Sequence, residues 1–191
     1  MNMGYNIENQ NEIHFLTITV VGWVDIFSRQ IHKDTLIRSM KYCIDNKGLI
    51  VYGYVIMTNH IHCIWQARNG NLSDIIRDYK KYTSSEIIKN INSKEESRSE
   101  WLRVVFEYHA RNNNNNSINQ VWQNGNHPIE LYSPKFFSQK LDYIHLNPVR
   151  SGWVNKPEDY IYSSASNYLN NTGLIDVTLL DIPLSDVGYI H

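Results

Sequence analysis

Cysteine is almost absent. The chain of 191 residues holds two, Cys43 and Cys63, and neither lies in a C-x-x-C pair. A disulfide scaffold and a cysteine zinc site are therefore not expected to organise the fold, and isolated thiols suit a reducing compartment. No apolar run approaches the roughly 20 residues that span a bilayer, so no membrane segment is expected. The Asn-rich start, Met1 to Glu12, lacks the basic-then-apolar order of a secretion signal, and the expected location is the cytoplasm. There is no excess of charge of one sign either. Lys plus Arg number 18 and Asp plus Glu 19, a formal charge of -1. Without a uniform basic field, any nucleic-acid partner must be held by a local patch. The length also falls short of a complete eight-stranded α/β barrel, which needs about 200 residues or more. With 42% hydrophobic and 19% charged residues, a globular domain with a proper core is expected.

The first apolar stretch, residues 13–24 (IHFLTITVVGWV), is rich in β-branched and aromatic types and reads as a strand. Leu36, Ile37, Met40, Cys43 and Ile44 give residues 33–46 a helical period, which Lys47-Gly48 stops. Residues 49–57 (LIVYGYVIM) read as a buried strand. A Thr58-Asn59 turn then leads into a second hairpin strand at 60–66 (HIHCIWQ). Residues 72–91 are helical by period, capped by Asn71 or Ser73, and residues 100–110 form another helix. The run Asn112–Asn116 reads as a loop, and 119–123 as a short strand. Ser133-Pro134 starts a helix expected to end near Asn147, because Pro148 disfavours α geometry in the residue before it. Residues 150–191 read as an irregular tail with short elements. The order fits an α+β, ferredoxin-like βαββαβ sandwich, an antiparallel sheet with helices on one face. A further C-terminal helix follows. One domain over 1–170 and a tail over 171–191 are expected.

Two groups of residues carry chemistry. His60-Ile61-His62 places two imidazoles on one strand face, with Cα atoms about 6.5–7 Å apart, and turns Ile61 and Cys63 to the other. Such a pair can ligate one metal ion, although on this pattern alone two solvated strand residues are the plainer reading. In the helix from Pro134, Phe137, Leu141 and Ile144 define the buried stripe, and Tyr143 and Asn147 face each other one turn apart beside it. With 13 tyrosines in the chain, Tyr143 by itself reads as an ordinary boundary residue. Asn147 by itself reads as a helix cap.

Three motifs change that balance. M-x-N-H-x-H follows a hydrophobic strand within Tyr54–Trp65, D-Y-I-H-x-N-P-V-R-x-G-x-V spans Asp142–Val154, and P-E-D-Y-x-Y-S-S-A spans Pro157–Ala165. Together they resemble the REP-associated tyrosine transposases of the IS200/IS605-like single-tyrosine superfamily, whose active site is of the HUH type. The likeness covers roughly residues 13–170. It implies that His60 and His62 bind a divalent metal, Mg²⁺ or Mn²⁺, that Asn147 completes the metal site, and that Tyr143 is the catalytic nucleophile. The implied reaction is nicking and rejoining of single-stranded DNA at a hairpin, through a 5′-phosphotyrosine and a free 3′-OH.

DNA contacts are expected from Arg77, Lys80 and Lys81, which interleave with Tyr79 and Tyr82, because charge tracks phosphates and rings stack on bases. Arg150 is close in sequence to the tyrosine and suits a phosphate. Trp122 and His127 lie in the family-like V-W-Q-x-G-x-H segment and are expected to line the DNA site. His145 is expected to be structural or DNA-contacting. Three other readings stay open: an autonomous dimeric IS200-like transposase, a domesticated binding module without catalysis, and an H-x-H metal hydrolase. Whether the chain is a monomer or a homodimer is undecided by the sequence.

Overall fold

A computed structural model describes residues 7–93, 96–111 and 118–180. The Asn112–Asn116 run and residues 181–191 of the expected tail lie outside them. Four strands form one antiparallel sheet: β1 (His14–Thr19), β2 (Leu49–Ile56), β3 (His60–Ala67) and β4 (Ile129–Glu130), in the order β2-β3-β1-β4. That order, with α1 (Gln30–Lys47) after β1 and α2 (Leu72–Ile91) after β3, is the ferredoxin-like arrangement.

Alternation along the strands builds two cores. Leu16, Ile18, Ile61, Cys63 and Trp65 point to one face, where Leu36 and Met40 of α1 and Ile75, Ile76 and Tyr79 of α2 cover them. Phe15, Val55 and Ile64 point to the other, where Phe137, Leu141 and Ile144 of α4 (Pro134–Arg150) close a smaller core. The hairpin of β2 and β3 is thus buried on both faces, which explains its near-continuous apolar sequence. Between Val51 and Gly53 the β2–β3 register slips, and Tyr52 and Gly53 both meet α4. A further helix, α3 (Ser99–Arg111), packs on the end of α2 and the turn after β1.

Several boundaries differ from the sequence expectation. β1 stops at Thr19, because Gly22, with φ of 62°, turns the chain into short 3-10 turns. Residues 119–123 form no ladder. Trp122 makes a single bridge to Val20, and Gly125, with φ of 83°, turns the chain so that the edge strand is Ile129–Glu130. Ser133 does cap α4, its hydroxyl accepting from Phe136 N at 3.3 Å. The helix nevertheless runs through Pro148 to Arg150. The turn around the proline is closed by Ser151 N on Asn147 O and Trp153 N on Pro148 O, and Gly152, with φ of 73°, ends it. The segment after α4 is less irregular than expected. It contains α5 (Ala165–Asn170) and runs against β2, with Ile56 N donating to Tyr162 O and Thr178 N to Val51 O. Among the described residues, no helix is long and apolar enough to cross a membrane.

Candidate active site

β3 presents His60 and His62 toward α4, and α4 brings Tyr143 to them. Tyr143 Oη lies 3.3 Å from His62 Nε2, and His62 Nε2 lies 3.1 Å from His60 Nε2. The Tyr143 ring meets His62 edge-on at 5.0 Å and is 39% exposed. Phe15 stacks on His62 at 5.4 Å from the neighbouring strand. Lys140, one turn before the tyrosine, places Nζ 4.7 Å from the Phe15 ring centre and 6.0 Å from that of Tyr143.

The other nitrogens of the histidines are also held. Asn59 Nδ2 donates to Trp23 O at 3.2 Å, which turns its Oδ1 toward His60 Nδ1 at 2.6 Å. His60 therefore carries its proton on Nδ1 and leaves a lone pair on Nε2. His62 Nδ1 faces Thr17 Oγ1 at 3.0 Å, across the strand pair. A hydroxyl both donates and accepts, so either His62 tautomer is satisfied. Burial lowers the pKa of His60, and lowers that of His62 to about 3, helped by the neighbouring His60 and Lys140. Both rings are thus neutral near pH 7, the form that ligates metal.

This donor set fits a divalent cation. Two nitrogens at right angles on an ion about 2.1 Å away would be about 3.0 Å apart, close to the 3.1 Å separation here. Among the described residues, no cluster of three or more His, Cys, Asp or Glu forms. A third protein ligand from the described residues would be of another type. Asn147 stands one turn past Tyr143 on α4, partly buried, where its amide oxygen is of the right chemistry.

The other expected contact residues are dispersed. Lys80 Nζ donates to Gln123 O, Gly125 O and Asn126 Oδ1, and burial lowers its pKa to about 8. Its three donors organise the 123–126 loop, so it is not an open phosphate contact. Trp122 is buried, packs on Phe27 and donates Nε1–H to Thr83 Oγ1 at 3.0 Å. Its faces are closed within the core and offer no stacking surface. Arg77 is paired with Asp74 and Asp78. Lys81, with Arg38, Tyr42 and Tyr82, lines a groove of about 740 Å³ between α1 and α2, on the sheet face opposite the histidines. His127 is exposed beside the loop that Lys80 organises. Arg150 is exposed at the end of α4, about 10 Å along the helix from Tyr143 at 1.5 Å per residue. His145 is buried, bonded to Ser164 Oγ at 2.9 Å, and its pKa is lowered to about 3 by burial. It serves packing against α5.

Phe15, Thr17, Trp23, Asn59 and Lys140 surround the site beyond the residues to which the motifs assign a role. Strand alternation puts Phe15 and Thr17 on the histidine face, and the spacing of three puts Lys140 beside Tyr143. Trp23 gave no such signal, because it depends on a turn.

Fold and site together define an α+β protein in which a histidine pair on a central strand faces a tyrosine from a covering helix. A family model described as IS200-like transposase matches residues 10–126. The chain belongs to the IS200-like transposase family. A REP-associated tyrosine transposase of Escherichia coli (strain K12) is 26% identical over 117 residues, 60% of this chain. The match spans about half of that relative, 53% of its length. A solved structure, of a REP-associated tyrosine transposase bound to a REP hairpin, shares the fold with a TM-score of 0.57. It is 18% identical, and the alignment covers 93% of this chain and 94% of that one. The family match ends before α4, so the tyrosine's place beside the histidines comes from the tertiary structure.

Proposed function

We propose that the chain is a metal-dependent transposase that nicks and rejoins single-stranded DNA beside a hairpin, with Tyr143 as nucleophile. The observation that carries this reading is the convergence of Tyr143 Oη, His62 Nε2 and His60 Nε2 within 3.3 Å steps. A core packing role for Tyr143 would not leave its part-exposed hydroxyl beside a pair of imidazole Nε2 atoms that face each other at 3.1 Å. The hairpin is the ligand of the solved relative, and family membership supports its extension to this chain.

His60 and His62 would hold Mg²⁺ or Mn²⁺, with Asn147 as a further ligand. When bound, the ion would polarise the scissile phosphate. Tyr143 Oη forms a bond to phosphorus as the P–O3′ bond breaks. The phenol proton is lost and the departing 3′-oxygen gains one, giving a 5′-phosphotyrosine and a free 3′-OH. The phosphodiester bond is conserved in the adduct, so rejoining by a 3′-OH needs no external energy source. Lys140 adds a positive charge beside the tyrosine ring, where the transition state accumulates negative charge. A neutral His60 protonated on Nδ1 offers its Nε2 lone pair, and His62 would do the same with its Nδ1 proton donated to Thr17 Oγ1.

End-labelled oligonucleotides carrying hairpins from the DNA flanking the chain's own gene test this. The expected result is an SDS-resistant adduct with Mg²⁺ or Mn²⁺, absent with EDTA and absent in Tyr143→Phe. Binding to native flanks without an adduct identifies a non-catalytic binding module instead. Cleavage that persists in Tyr143→Phe identifies a water nucleophile and a metal hydrolase.

A further inference from the structure

Trp23 occupies a backbone conformation that its own packing does not explain. It ends the 3-10 turn Val21–Trp23, and both Gly22 and Trp23 have positive φ, 62° and 55°. Glycine adopts such angles freely, whereas a bulky aromatic residue does so at an energetic cost. Burial does not offset that cost, since the residue is 62% exposed. Its indole meets His60 edge-on, 6.2 Å between centroids, and its carbonyl receives the Asn59 amide that orients His60. The turn therefore holds a large flat ring in solvent at the rim of the histidine pair. From Trp23 the rings run to His60 at 6.2 Å, on to His62 at 4.6 Å, and on to Tyr143 at 5.0 Å. Trp23 and Tyr143 stand at the two ends of this row.

We propose that Trp23 is a stacking platform for the base of the nucleotide that departs with the 3′-OH. This rests on the reading of Tyr143 as nucleophile. Displacement at phosphorus places the attacking and leaving oxygens roughly in line on opposite sides. With the phosphate at the histidines and Tyr143 attacking from the His62 end, the departing nucleotide is placed toward the His60 end, where Trp23 stands. Every base has a π face, so an exposed indole holds it without reading its identity. The site then grips the strand on both sides of the scissile bond: Tyr143 and Lys140 at one end, Trp23 at the other.

The test places 2-aminopurine, a fluorescent base quenched by stacking, at successive positions around the scissile phosphate mapped by the adduct assay. Binding is followed with full-length Tyr143→Phe, which leaves the strand intact. The strongest quenching is expected at the base immediately 5′ of the scissile phosphate. It is expected to disappear when Trp23→Gly or Trp23→Leu is added, with a roughly 10- to 100-fold loss of single-strand affinity, the size of one base–aromatic stack. Glycine suits the φ of this position, so Trp23→Gly is expected to melt no lower than its parent. Trp23→Leu keeps bulk while removing the π face. Quenching that survives both substitutions, or that peaks 3′ of the phosphate, overturns the proposal. A normal Tyr143 adduct without Trp23-dependent quenching removes the platform and leaves the nucleophile standing. No adduct on any native flank removes both.

Discussion

Gly53 should be indispensable to the site although it touches neither histidine nor tyrosine. A Cβ at this position would lie 2.8 Å from Leu141 Cδ1, with Ser164 Oγ at 3.6 Å and Ile144 Cδ1 at 3.8 Å. Carbon atoms in contact settle about 3.5–4.0 Å apart, so Gly53→Ala creates an overlap of roughly 1 Å. Leu141 is 1% exposed, and its methyl has no solvent to move into. Either Leu141 leaves its rotamer or α4 rises from the sheet. Overpacking of this kind costs about 1–3 kcal/mol, offset by about 0.4–1 kcal/mol from the stiffer unfolded chain. The net expectation is a loss of about 1–2 kcal/mol. Because α4 carries Tyr143, a rise of even half an ångström stretches the 3.3 Å contact to His62 past hydrogen-bond range. Adduct formation should therefore fall further than stability does. Urea denaturation and the adduct assay, run on Gly53→Ala, Leu141→Ala and the double variant, separate the two effects. Leu141→Ala alone should cost about 2–5 kcal/mol. In the double variant the added methyl occupies part of the vacated space, so the two losses should fall short of additivity by about 1 kcal/mol. Wild-type stability and activity in Gly53→Ala, or strict additivity in the cycle, would refute the close-approach argument.

Three other outcomes are expected. Lys80→Met should lower stability by about 1–3 kcal/mol in urea melts, because it strips the donors from the carbonyls of Gln123 and Gly125; a change confined to DNA affinity would contradict the structural role. His32 and His145 are held neutral by burial, with pKa values lowered to about 4 and about 3. In the unfolded chain they titrate near 6.5, so that state binds more protons and stability falls as pH drops from about 6.5 toward 4, by up to about 2 kcal/mol per histidine at pH 5. His145→Gln should flatten that pH dependence, and an unchanged slope would rule its contribution out. Mn²⁺ at 100 times its Kd should stabilise the chain by about 2.7 kcal/mol, or roughly 5–10 °C in Tm at this size; His60→Ala and His62→Ala should abolish the shift, and a shift retained in both would place the ion elsewhere.

Strong local signals made much of the protein legible. The period-2 run of β3 fixed which face His60 and His62 share, and the 3.6-residue period of α4 put Tyr143 beside its buried stripe. The Ser133-Pro134 start and the apolar β2–β3 hairpin were equally plain. Signals failed where tertiary context prevailed. Pro148 reads as a helix end, yet packing and the bonds of Ser151 and Trp153 carry the helix past it. Trp122 and Lys80 look like DNA-binding residues in one dimension. One is closed into the core by Phe27 and Thr83, and the other is spent on three oxygens of a loop that is distant in sequence.

The sequence by itself determined the first three strands, the four long helices, their order and the chemical types at the site, because periodicity, caps and motif spacing act over a few residues; the edge strand Ile129–Glu130 was not among them. Only the tertiary structure decided that α4 lies on the histidine face of the sheet, which the bare surface of Gly53 permits. Only it showed that Asn59, oriented by the carbonyl of Trp23, sets the proton on His60, and that a strained turn holds an indole at the rim. These depend on atoms brought together from distant parts of the chain, and no local pattern encodes such a meeting.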